Sequence, residues 1–146
     1  MSDGLRVLVL CTGNSARSQM AEGWLRRLGD GRVEAFSAGT HPAAAVNPLA
    51  VRAMGEVGID LGDQRPKSIE RYLAERFDYV ITVCDDAAEE CPIFPGPARR
   101  IHWSFPDPAK TEGDEAARLA AFRRIRDGLR ERLEGFLAEV TRSEGG

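Results

Sequence analysis

The stretch Leu5-Arg6-Val7-Leu8-Val9-Leu10-Cys11-Thr12-Gly13-Asn14-Ser15-Ala16-Arg17-Ser18 changes character twice. Leu5 to Leu10 is a nearly continuous apolar run, the pattern of a parallel strand covered on both faces. From Ser18 to Leu28, the residues Met20, Ala21, Trp24, Leu25 and Leu28 recur at helical spacing. A short loop framed by Cys11 and Arg17 joins the two. Backbone N–H groups at a helix N-terminus favour negative charge on a thiol and on a bound anion alike. The guanidinium of Arg17 adds a planar fork that grips two oxygens at once. The loop therefore reads as a cradle for a tetrahedral oxyanion, walled by Thr12, Gly13, Asn14, Ser15, Ala16 and Arg17. The plainer alternative is an inert buried cysteine beside a surface arginine.

Working outward, Val33 to Ser37, Tyr79 to Val83 and Arg99 to Trp103 are further strand candidates. Asn47 to Val57 and Ser68 to Arg76 read as helices. Asp114 to Val140 carries Leu119, Phe122, Ile125, Leu129, Leu133, Phe136 and Leu137 on one stripe, with arginines and acids covering the rest, so it reads as one long docking helix. Strands alternating with helices predict an α/β fold. One domain spanning residues 1–146 is expected, with a small four-stranded parallel sheet flanked by helices on both faces. Ligands of such sheets bind beyond the carboxyl ends of the strands. Cys11, Cys84 and Asp107 each follow a strand candidate and meet at that edge.

The 146 residues suffice for a core without metal or disulfide staples. A formal net charge of -3 argues against a general nucleic-acid binder. Met1-Ser2-Asp3-Gly4 is polar and leads straight into the first strand, and no apolar run is long enough to span a bilayer. A cytoplasmic protein that acts as a monomer, away from membranes, is expected.

Cys84 and Cys91 flank the acidic run Asp85-Asp86-Ala87-Ala88-Glu89-Glu90. A cytoplasmic setting disfavours a structural disulfide, and the spacing matches no zinc pattern even with help from His41 or His102. A pair that closes and opens a disulfide during turnover fits better. Pro92, Pro95, Gly96 and Pro97 read as an irregular loop that lets this segment rearrange.

Cys11 through Gly23, Ser37-Ala38-Gly39, Cys84 to Cys91-Pro92, and His102-Trp103 followed by Asp107-Pro108 together resemble the thioredoxin-coupled arsenate reductases. These share the fold and anion loop of the low-molecular-weight protein tyrosine phosphatases. The two extra cysteines separate reductase from phosphatase, which is kept as the alternative.

The resemblance implies a role for each matching residue. Cys11 attacks arsenate while Arg17 and the loop N–H groups stabilise the charge on its oxygens. Ser18 donates a hydrogen bond to the Cys11 sulfur, and Asp107 protonates the departing oxygen. Cys84 then displaces arsenite and leaves a transient Cys11–Cys84 disulfide. Cys91 resolves it to a final Cys84–Cys91 disulfide, which thioredoxin reduces. No tightly bound cofactor or metal is implied for catalysis.

Some members of the family bind potassium through groups matching Asn14, Glu22 and Ser37 and an acidic residue that falls near Lys67 here. Lys67 either supplies that positive charge internally or is a solvated residue at a helix start. His102 and Trp103 read as packing and hydrogen-bonding support, and His41, before Pro42, as a loop residue.

Overall fold

The computed structural model describes residues 4–96 and 98–145. Met1 to Asp3 and Pro97, both used in the sequence reading, lie outside the described residues. Four strands, β1 (Leu5–Cys11), β2 (Val33–Gly39), β3 (Tyr79–Thr82) and β4 (Arg99–His102), form one parallel sheet in the order β2-β1-β3-β4. The predicted four-stranded parallel sheet is therefore present.

Strand β1 is central, and Val7 to Leu10 are fully buried, as a strand covered on both faces requires. The helices are α1 (Arg17–Gly29), α2 (Pro48–Gly55), α3 (Asp85–Glu90) and α4 (Glu115–Gly145). The connections β1-α1-β2 and β3-α3-β4 run in opposite directions across the sheet, so right-handed crossovers carry α1 and α3 to opposite faces. Helix α4 packs along α1 and α2. Its predicted stripe is the buried one, from Leu119 through Leu137. Trp24 Nε1 donates to the Arg126 carbonyl at 3.0 Å, and Glu56, at the end of α2, pairs with Arg123 and Arg126.

One sequence expectation changes. Ser68 to Arg76 forms only one turn of 3-10 helix, Ile69–Tyr72, capped by the Ser68 side chain. Ile69 and Tyr72 bury themselves in that single turn, while Leu73 is left 44 % exposed, so further helix has no apolar face to bury. The acidic run between Cys84 and Cys91, to which the sequence reading gave no element, is the six-residue helix α3. Asp85 and Asp86 in its first turn complement the helix dipole, and Ala87 anchors it to the core. The irregular part begins at Cys91 and runs to Gly96, whose φ of 83° is one that glycine adopts freely. Among the described residues, no helix is long and apolar enough to cross a membrane.

Candidate active site

A cleft of about 540 Å³ opens beyond the carboxyl ends of β1 and β3, lined by Cys11, Thr12, Arg17, Cys84, Phe105 and Asp107 among others. It draws residues from three separate stretches of chain, as the strand order demands. A second cleft of similar size lies between β4 and α4, lined by Trp103, Phe105 and Phe136. It carries no nucleophile.

The loop from Thr12 to Ala16 joins β1 to the N-terminus of α1. Its carbonyl groups face the segment that follows β2. Thr40 N–H donates to the Cys11 carbonyl, His41 N–H to Thr12, Ala43 N–H to Gly13 and Asn47 N–H to Ser15, at 2.8 to 3.2 Å. With its carbonyls held outward, the loop keeps its N–H edge for the cleft, and the helix dipole adds to that positive potential. Asn14 takes φ 51°, the left-handed turn that lets the loop close. Gly39 makes the closure possible from below. A Cβ at that position would stand 2.6 Å from the Thr12 carbonyl oxygen and 3.1 Å from the Asn14 nitrogen.

Cys11 is 2 % exposed. Its sulfur accepts the Asn14 N–H at 3.2 Å and lies 2.8 Å from Ser18 Oγ. Both contacts hold the sulfur in place within the loop. Arg17 donates from Nη1 to the Phe105 carbonyl at 2.9 Å, and its Nη2 lies 3.8 Å from Asp107 Oδ2. The guanidinium is thereby aimed across the cleft with one edge tied down. The Asp107 carboxylate accepts the Ala109 N–H at 2.9 Å and caps the 3-10 turn Pro108–Lys110. The turn and the arginine fix where the acid sits.

Cys84 caps the start of α3 and is 6 % exposed. Its sulfur lies 3.3 Å from Thr12 Oγ1, so the second thiol faces the anion loop. Cys91 ends α3 and is half-buried. Burial pushes its thiol above the ordinary range, and Arg100 partly opposes that. Arg100 Nη2 also donates to the carbonyls of Cys91 and Pro92, at 3.2 and 2.6 Å. All three cysteines are free thiols.

The cation-site residues are linked to one another through Lys67. Glu22, 2 % exposed, accepts from Ser37 Oγ at 2.5 Å, is paired with Arg26, and has Lys67 Nζ 3.8 Å away. Asn14 instead spends its Oδ1 on the Lys67 backbone N–H at 2.8 Å and on Gln19 Nε2 at 3.0 Å. Lys67 is thus beside Glu22, with its side chain only 15 % exposed, and its ammonium also donates to the Arg65 carbonyl at 2.8 Å. Burial lowers its pKa, and Glu22 acts against that shift. The reading of Lys67 as a solvated helix-start residue does not fit. Among the described residues, no group of three His, Cys, Asp or Glu is arranged to hold a metal ion.

Sequence reasoning missed Gln19. It is fully buried, donates to the Asn14 carbonyl and side chain and to the Arg65 carbonyl, and accepts from Gln64 Nε2 at 2.6 Å. An amide beside Met20 and Ala21 was the only hint available.

The low molecular weight phosphotyrosine protein phosphatase family matches residues 6–145. An arsenate reductase of Halalkalibacterium halodurans is 47% identical over 131 residues, 89% of this chain and 93% of that protein. A solved arsenate reductase in the phosphate binding state superimposes with a TM-score of 0.75 at 33% identity, covering 92% of this chain and 98% of the other. A Corynebacterium glutamicum thioredoxin-dependent arsenate reductase gives a TM-score of 0.68 at 28% identity, covering 94% of this chain and 64% of that one.

Proposed function

The chain belongs to the low molecular weight phosphotyrosine protein phosphatase family, and from that premise we propose that it reduces arsenate to arsenite through three cysteines, with thioredoxin as the reductant. The observation that carries the reading is the position of the cysteines. Cys11 and Cys84 line the same anion cleft as Arg17 and Asp107, while Cys91 lies at the far end of the helix that Cys84 begins.

Arsenate enters the loop and meets Thr12 to Ala16 and the Arg17 guanidinium, which neutralise its charge. The Cys11 thiolate bonds to arsenic(V) as one oxygen leaves, protonated by Asp107. Cys84 as thiolate then attacks the Cys11 sulfur. The S–S bond forms, the S–As bond breaks, and its electron pair stays on arsenic, which departs as arsenite. Cys91 next attacks Cys84 and releases Cys11 as a thiolate, with no net redox change in that exchange. The dithiol of thioredoxin supplies the two electrons that reopen the Cys84–Cys91 disulfide. Phosphate binds the same loop but has no such reductive exit, so it acts as a competitor, and slow phosphatase activity is a side reaction.

The last exchange needs a change of shape. Seven residues of helical rise separate the α-carbons of Cys84 and Cys91 by about 10 Å, beyond the roughly 7 Å limit for a disulfide. Helix α3 therefore opens during each cycle.

The test is arsenate-dependent NADPH oxidation coupled through thioredoxin and its reductase, on wild type and on Cys91→Ser, with aryl phosphate hydrolysis in parallel. Arsenate turnover that disappears in Cys91→Ser while aryl phosphate cleavage persists supports the relay. Vigorous phosphatase activity with no arsenate turnover makes the protein a phosphatase instead.

A further inference from the structure

The chain has two histidines, and each holds one end of α3. His102 Nε2 lies 2.8 Å from Asp85 Oδ1, on the first residue of the helix. His41 Nε2 lies 2.9 Å from Glu90 Oε1, on the last. His102 ends β4 and His41 follows β2, and these are the two edge strands of the sheet. The helix between Cys84 and Cys91 is thus strapped from both edges.

Both straps have fixed anchors. The Nδ1 of His102 lies 2.8 Å from Thr82 Oγ1, which turns Nε2 toward the helix. The Asp85 carboxyl is held below the usual range, chiefly by its hydrogen bond to His102 and then by one to Ser104. The backbone N–H of His41 donates to the Thr12 carbonyl at 2.9 Å. One strap is therefore anchored to the anion loop itself.

We propose that His41 and His102 are positioning residues that clasp α3 shut in the dithiol form and let go when the Cys84–Cys91 disulfide forms, so that the clasp sets the reduction potential of that couple. The proposal rests on the three-thiol reading. Disulfide formation draws the ends of α3 together, and the two carboxylates, which ride on those ends, leave their histidines. Contacts made in only one redox state shift the balance between the two. The clasp stabilises the dithiol and makes the disulfide easier to reduce. It favours release of the oxidised enzyme to thioredoxin at the cost of slower opening of α3.

The test is a redox titration in a Cys11→Ser background, which leaves Cys84 and Cys91 as the only thiols. Protein is equilibrated at one fixed pH with glutathione and dithiothreitol buffers. The protein disulfide and two reagent thiols give the protein dithiol and a reagent disulfide, and alkylation with mass spectrometry measures the ratio. Exposed pairs of this kind predict a shift toward the disulfide of about threefold for His41→Ala or His102→Ala, and about tenfold for both. That tenfold shift corresponds to about 30 mV toward more negative potential. Asp85→Ala breaks the same bond from the other side, without disturbing Thr82. It gives at least the His102→Ala shift, since the Ser104 bond and the first-turn charge go with it, and adding His102→Ala to it brings no further change. Unchanged potentials, or a shift toward less negative values, overturn the clasp. Failure of Cys84 and Cys91 to pair in any buffer overturns the three-thiol reading and the clasp with it.

Discussion

The backbone N–H of Lys67 meets Asn14 Oδ1 at 2.8 Å, across 53 residues of chain. A backbone N–H can only donate, so this contact settles which end of the Asn14 amide is oxygen. The Nδ2 then donates to Ser18 Oγ at 2.8 Å. With its oxygen accepting from Asn14, Ser18 turns its own proton toward the Cys11 sulfur 2.8 Å away. A contact remote in sequence thus orients the hydroxyl that faces Cys11.

Removing the last link of that chain tests it. Hydrogen bonds to charged groups contribute about 1.5–3 kcal/mol, so Ser18→Ala is expected to lower the alkylation rate of Cys11 at neutral pH, and kcat/KM for arsenate, by roughly tenfold to a hundredfold. Iodoacetamide labelling of Cys11 with peptide mass spectrometry reads the first. An unchanged rate shows that the hydroxyl does not support the thiolate.

Gly39 is the floor of the anion loop, and its surroundings are backbone that cannot give way. Gly39→Ala is expected to cost about 1–3 kcal/mol by overpacking. It also weakens inhibition by phosphate at least tenfold, because the Thr12 peptide must shift. Calorimetry and competition kinetics measure the two effects, and normal phosphate affinity in a stable variant refutes the steric account.

Cys91 carries a thiol pushed above its ordinary pKa by burial. Between pH 7 and 8 it is therefore mostly protonated, and its thiolate fraction rises about tenfold per pH unit. On the proposed relay, resolution of a Cys11–Cys84 disulfide is expected to accelerate by that factor over the same range and to keep climbing at higher pH. Rapid acid quench followed by mapping of the disulfides follows the intermediate. A rate that is flat above pH 7 points to a thiol already ionised.

Lys67 places an ammonium beside the buried Glu22. Wild-type turnover is expected to be insensitive to potassium over sodium at matched ionic strength. Lys67→Ala leaves Glu22 to Arg26 and Ser37 and costs about 1–3 kcal/mol. Part of the lost thermal stability returns with potassium but not sodium. Several-fold stimulation of the wild type by potassium contradicts the internal cation.

The local parts of the site were legible in the chain itself. Val7 to Leu10 had to be a covered strand because no polar residue interrupts it, and Cys11 to Arg17 had to lie at a strand-to-helix turn because the periodicity changes across it. Parallel strands then bring their carboxyl ends to one edge, which put Cys11, Cys84 and Asp107 together. These inferences work because spacing along a chain governs hydrogen bonding and burial within a turn or two.

What lay beyond that range was decided by the register of the sheet and the packing of its crossovers. The Lys67 amide reaches Asn14, and Gly39 passes under Thr12, only because β2 pairs with β1 along its length to Cys11↔Gly39. The acidic run from Asp85 to Glu90 has no helical stripe to announce it, yet it coils because Ala87 finds the core and two histidines from opposite sheet edges hold its ends. Sequence determined which groups reach the cleft. Tertiary structure decided how each is oriented, since a hydrogen bond has direction and its partner is as often fifty residues away as five.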